Sequence, residues 1–168
     1  VHALASAGIE QRGAVFTRRE VVDFILDLTA YTVDRPLTSM RLLEPSFGGG
    51  DFLIPAIDRL LASWRKAGCP EPRRTLADAI RAVELHRDSF IVTRDKVVTH
   101  LKNSGLPPTD ARSLADQWLM FGDFLLVDLD ERFDVVVGNP PYVRQEMIAD
   151  ALMAEYRARY RTIYDRAD

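Results

Sequence analysis

The sequence has a single cysteine, Cys69, which excludes an internal disulfide and makes a reducing compartment the default. Its three histidines, His2, His86 and His100, and that cysteine do not fall at metal-ligand spacing, so no metal site is expected. Positive charge is not in excess either: 22 lysines and arginines face 25 carboxylates, for a formal net charge of −3. That balance argues against a chain that coats nucleic acid by bulk electrostatics, though not against a nucleic-acid enzyme whose basic surface is local. No apolar run approaches the ~20 residues of a membrane span, and the opening residues do not make a signal peptide. Internal repeats and low-complexity tracts are absent as well. The expectation is a cytoplasmic globular chain, or a piece of one, with no membrane partner. Its 168 residues suit one domain with a real core, and 47% hydrophobic content is ordinary for such a domain.

What is present is an alternation of strand and helix signals. Residues 18–31 carry a helical stripe at Val21, Val22, Ile25, Leu26 and Leu28, with Thr17 and Glu20 in capping-box spacing at its start. "MRLLE" (40–44) reads as a short strand stopped by Pro45 and the glycines Gly48, Gly49 and Gly50. A helix over about 52–67 follows, then a proline-rich loop over 68–74. "AIRAVEL" (79–85) is a second strand, 89–103 a helix, and 109–117 a brief helix leading into the third strand of "WLMFGDFLL". "RFDVVVG" (132–138) is a fourth strand, its β-branched run suited to burial on both faces, and 144–160 reads as helical. This order predicts an α/β fold with a mostly parallel sheet and helices on both faces. Ligands of such folds sit beyond the carboxyl ends of the strands, so four segments should meet along one rim.

Each segment has chemistry to offer. "LEPSFGGGDFL" sets the carboxylate of Glu44 at a strand end, followed by glycines that allow close backbone approach. The helix N-terminus behind them adds partial positive charge, so a ligand with both an ammonium and a carboxylate suits the place. A plain strand-to-helix turn would read the same. Glu84 ends the second strand, where one carboxylate can accept both hydroxyls of a ribose; a solvated surface charge is the competing reading. Asp123 can accept from an exocyclic amine and Phe124 offers a flat apolar face, unless they are a turn Asp beside a core Phe. The fourth strand runs straight into "NPPY". Two prolines forbid its continuation and fix rigid backbone. Asn139 offers a side-chain carbonyl, Pro140 a backbone carbonyl, and Tyr142 a stacking face. Two converging acceptors hold an amino group by its hydrogens and localise a conjugated lone pair, which helps most in the transition state.

These stretches resemble the S-adenosylmethionine-dependent amino-methyltransferases, in particular the adenine-N6 DNA methyltransferases of the gamma order (TaqI-like, restriction–modification type). "GAVFTRREVVDFILDL", "LEPSFGGGDFL", "AVELHRD", "GDFLL" and "FDVVVGNPPYV" run in that family's order over about residues 13 to 143. The resemblance implies a Rossmann-like methyltransferase fold and S-adenosylmethionine as cofactor. Phe16 and Thr17 would line its methionine end, and Glu44 with the loop through Ser46, Gly48 and Gly50 would hold its amino and carboxyl groups. Glu84 would take the ribose hydroxyls, Asp123 the adenine amino group and Phe124 the adenine face. Asn139 and Pro140 would bind N6 of a flipped target adenine in double-stranded DNA, with Tyr142 stacked on it. Methyl transfer would be direct.

The sequence departs from the family where Thr-Pro-Pro is usual and Thr17-Arg18-Arg19 stands, and where Phe47 would narrow the cofactor pocket. Family members also continue beyond "YRARYRTIYDRAD" into further strands and a domain that reads DNA sequence. Residues 1–168 are therefore expected to be the cofactor-binding part of a catalytic domain without its target recognition domain. The missing half, or a fused or partner restriction subunit, would cover the free edge of the fourth strand. Competing readings are a glutamine methyltransferase of release factors, an rRNA guanine-N2 enzyme, both disfavoured by "FTRREVV", and a non-catalytic cofactor-binding half. The basic residues Arg157, Arg159 and Arg161, and Arg73 and Arg74, read either as phosphate contacts or as solvated faces.

Overall fold

Residues 17–129, 132–143 and 145–163 are described by a computed structural model. Phe16 lies outside them. Helix α1 (Arg19–Leu28) opens this part, and only one edge of its predicted stripe enters the core: Val22 and Leu26 are buried while Val21, Phe24 and Leu28 are exposed. Its capping box does not form, because Arg18 occupies the N-cap without a side-chain hydrogen bond and Thr17 is engaged elsewhere. A 3-10 turn at Leu37–Ser39 then leads to strand β1 (Leu42–Glu44). Helix α2 (Leu53–Lys66) buries a broad face that includes Ile57, Leu60, Leu61 and Trp64. The stretch expected to be a loop contains one helical turn, α3 (Pro72–Thr75). Proline suits its first position, and the Glu71 carboxylate caps the amides of Arg73 and Arg74.

Strand β2 (Ile80–Glu84), helix α4 (Arg87–Asn103), helix α5 (Pro108–Trp118) and strand β3 (Leu119–Phe121) follow in the expected order. Strand β4 is only Val135–Val136, a 3-10 turn covers Gln145–Met147, and helix α6 is Asp150–Arg159. The four strands are all parallel, in the order β3-β2-β1-β4. Leu42 stands beside Ile80 on one side and Val135 on the other, so β1 is central and its three residues are all buried. Parallel strands buried in this way read as continuous apolar runs. β4 differs from the expectation of two-sided burial: Val135 and Val137 join the core, but Val136 is 58% exposed. It pairs with β1 alone among the described strands, and alternation turns Val136 to the other face.

One continuous core holds Leu42, Ile80, Ala82, Leu119 and Val135 of the sheet together with buried residues of α1, α2, α4 and α5. A smaller cluster joins Leu152, Met153 and Tyr156 of α6 to Leu125 and Leu126. Among the described residues, no helix is long and apolar enough to cross a membrane.

Candidate functional site

A cavity of about 400 Å³ opens at the carboxyl ends of β1 and β2. Glu44, Ser46, Phe47, Gly48 and Gly49 line it from the turn after β1, and Asp51 and Phe52 from the approach to α2. Glu84 lines it at the end of β2, and His86, Asp88, Ser89, Val92 and Thr93 from the start of α4. Thr17 and the exit of β4, through Asn139 and Pro141, complete the lining. Three of the four strand ends therefore converge.

The glycine turn is held by side chains from neighbouring segments. Glu84 accepts from the Gly48 amide (2.7 Å) through one oxygen and from the His86 amide (2.7 Å) through the other. Thr93 donates its hydroxyl to the Gly48 carbonyl (2.7 Å), and Lys96 reaches the Gly49 carbonyl (2.9 Å). The Gly50 amide closes on the Phe47 carbonyl at 2.7 Å. Gly50 has φ +83°, a backbone conformation that favours glycine, and a Cβ there would press on the Thr93 methyl at 3.2 Å. Phe47 is buried and packs its ring against Phe90, 6.0 Å between centroids, while lining the cavity.

Glu44 has an unusual environment. It is 2% exposed, and its Oε2 has no hydrogen-bond partner among the described residues. Burial, reinforced by the charges of Asp51 and Glu84, pushes its carboxyl well above the usual carboxylate range. A buried acid with an unpartnered oxygen facing two further carboxylates fits a cationic hydrogen-bond donor. At the β4 exit, Asn139 donates its amide nitrogen Nδ2 to Thr17 Oγ1 (3.2 Å), and the Thr17 amide donates to Asp51 Oδ2 (2.9 Å). Pro140 and Tyr142 are exposed, Tyr142 at 73%.

Asp123 and Phe124 stand outside the cavity lining. The β3 exit is adjacent, since the Gly122 amide donates to the Glu84 carbonyl (3.0 Å). Asp123 is buried and already engaged: its Oδ1 accepts from the Leu125 amide (3.0 Å) and its Oδ2 from the Tyr156 hydroxyl. Burial, with the hydrogen bond and charge of Asp123, pushes the Tyr156 phenol up. The basic residues have internal roles where the structure shows them, Arg159 bonding Glu155 (2.8 Å) and the Leu126 carbonyl (2.9 Å).

Sequence reasoning passed over Asp51, His86, Asp88, Ser89, Val92 and Thr93. A signal existed for two of them. Asp51 directly follows the glycine run, and Thr93 and Lys96 share a helix face at i, i+3 spacing just after β2.

The model of the family described as Eco57I restriction-modification methylase matches residues 76–168. The chain is 61% identical over 171 residues to the Type II methyltransferase M.PaeR7I of Pseudomonas aeruginosa, covering 99% of this chain and 29% of that protein. It is 52% identical over 161 residues to the Type II methyltransferase M.XhoI of Xanthomonas vasicola, covering 95% of this chain and 30% of that protein. The Type II methyltransferase M.BstVI of Geobacillus stearothermophilus is 45% identical over 163 residues, 93% of this chain and 29% of the relative. The chain thus spans less than a third of the length of these curated relatives. With a parallel α/β sheet, a cavity at its strand ends and a family match over more than half its length, the chain belongs to the Eco57I restriction-modification methylase family.

Proposed function

We propose that residues 1–168 are the cofactor-binding part of a methyltransferase catalytic domain. The complete protein would methylate N6 of adenine in double-stranded DNA within a restriction–modification system, using S-adenosylmethionine. The target recognition domain would lie in another part of that protein, and a fused or separate restriction subunit would be its companion. The observation that carries this reading is the single cavity that gathers Glu44, the glycine turn and Glu84 together with Asn139. The names of the relatives, Type II methyltransferases, support it.

The residues present fit the cofactor. The Glu44 Oε2, without a partner among the described residues, suits the ammonium of a methionine end, and the cavity volume is in the range of small-molecule sites, roughly 300–1,000 Å³. When bound, S-adenosylmethionine supplies an electrophilic methyl group on its sulfonium. Glu84 would add ribose hydroxyls to the remaining lone pairs of a carboxylate already fixed by two backbone amides. Asp123 would take the adenine amino group once Tyr156 yields one of its oxygens or shares it, and Phe124 would offer its ring to the adenine face. Asn139 Oδ1 and the Pro140 carbonyl would accept the two hydrogens of the target amino group. Holding them favours a pyramidal nitrogen with a localised lone pair, ready for in-line attack. Tyr142, largely exposed, would stack on the extruded base, which every enzyme acting on a duplex base must reach outside the stack.

Nucleoside mass spectrometry on DNA from cells expressing the complete gene tests this. N6-methyladenine is expected with the wild-type protein and not with Asn139→Ala. Unmodified DNA in both, against a vector control, would overturn the reading.

A further inference from the structure

Four carboxylates line the cavity, Glu44, Asp51, Glu84 and Asp88, and among the described residues its lining holds no lysine or arginine. That wall suits the ammonium and the sulfonium of the cofactor. It opposes the carboxylate at the same end of the molecule, which needs donors or positive charge of its own. Two side chains behind the glycine turn answer that need. From one face of α4, at i, i+3 spacing, Thr93 holds the Gly48 carbonyl at 2.7 Å and Lys96 holds the Gly49 carbonyl at 2.9 Å. A carbonyl oxygen only accepts, so the hydroxyl and the ammonium are the donors in these two bonds.

The two bonds orient the turn. Among the described residues no peptide is cis, so each N–H points opposite to the carbonyl that shares its plane. Drawing the Gly48 carbonyl to Thr93 therefore directs the Gly49 amide away from α4. Drawing the Gly49 carbonyl to Lys96 fits the closure of the Gly50 amide on the Phe47 carbonyl. The Gly48 amide is taken by Glu84. The Gly49 amide makes no hydrogen bond among the described residues, and Gly49 lines the cavity. Thr93 is 1% exposed, and in such shelter a donor on a carbonyl polarises the N–H of the same peptide.

We propose that Thr93 and Lys96 make the glycine turn an anion subsite for the carboxylate of the cofactor. Thr93 sets the Gly49 amide as a donor, and Lys96 supplies the positive charge that the cavity wall lacks. Both are positioning residues that act through the turn. This rests on the methyltransferase reading above and deepens it, naming what separates the two ends of the methionine group: Glu44 for the ammonium, the turn backed by Lys96 for the carboxylate.

The test uses the complete protein and two ligands, S-adenosylmethionine and its decarboxylated analogue, which keeps the sulfonium and the ammonium. Calorimetry gives both Kd values for wild type, for Lys96→Met, which keeps the stem without the charge, and for Lys96→Arg, which restores the charge. Wild type should prefer S-adenosylmethionine. Lys96→Met should bind it about two- to fivefold more weakly, the effect of one exposed charge, and the difference should shrink in high salt. The analogue should bind Lys96→Met as well as wild type or slightly better, since losing a positive charge favours a cation. Lys96→Arg should recover most of the loss. At Thr93, serine should keep the preference for the carboxylate and valine should reduce it. An unchanged S-adenosylmethionine Kd in Lys96→Met overturns the proposal. So does an equal loss for both ligands, which a merely structural role would give, or a Lys96→Arg as weak as Lys96→Met. Equal preference in Thr93→Ser and Thr93→Val removes Thr93 from it. A wild-type protein that binds neither ligand would instead strike the methyltransferase reading itself.

Discussion

Glu44 makes the stability of the cofactor-free protein fall as pH rises, and the size of the effect follows from its burial. Its carboxyl is pushed well above its ordinary value of 4.5 by burial first and then by Asp51 and Glu84. Below that ordinary value both folded and unfolded chains hold the proton, and Glu44 adds no pH dependence. As pH climbs past it, the unfolded chain releases the proton while the folded one keeps it, so unfolding is favoured. One proton of difference gives a slope of about 1.4 kcal/mol per pH unit, until the folded carboxyl also ionises. Each pH unit inside this window is therefore a sizeable part of a marginal stability. Glu44→Gln is neutral at every pH and lacks the slope. Urea unfolding of both proteins over about pH 5 to 8, without cofactor, reads the difference directly. Asp23 lies outside this window. Burial pushes its carboxyl up, but the Arg19 and Arg59 hydrogen bonds win, so its contribution appears only at more acid pH. Parallel stability profiles for wild type and Glu44→Gln would refute the reasoning. Saturating S-adenosylmethionine should flatten the wild-type slope, because an ammonium against Oε2 lets the folded carboxyl ionise.

Glu84→Ala removes the acceptor of two backbone amides, each charge-assisted bond contributing about 1.5–3 kcal/mol, and should loosen the glycine turn as well as weaken cofactor binding. Equal cofactor affinity by calorimetry would take Glu84 out of the site. Gly50→Ala should cost about 1–2 kcal/mol from its left-handed backbone, with a further penalty where the new methyl meets Thr93, seen as a lowered thermal midpoint. Asn139→Ala should leave cofactor Kd nearly unchanged while transfer is lost. A parallel loss of both would assign Asn139 to cofactor binding.

The sequence by itself determined what depends on neighbours a few residues apart. The order of strands and helices and the glycine turn after "LLE" follow from backbone restrictions that act locally, and the structure keeps them, while β4 already ends at Val136, ahead of the prolines. Glu44, Glu84 and Asn139 were legible as strand-end residues because a parallel sheet must present its carboxyl ends together. Tertiary structure decided the rest. It set the strand order β3-β2-β1-β4, and so which strand was central and which left Val136 exposed. It drew Thr17 from its predicted capping role to Asp51 and Asn139, and gave Asp123 a partner in Tyr156. It raised the Glu44 carboxyl by surrounding it with Asp51 and Glu84. None of these pairings has a local signal, since their partners lie from seven to 122 residues apart. Only packing brings such groups within a few ångströms, and only there do burial, charge and hydrogen bonding act on one another.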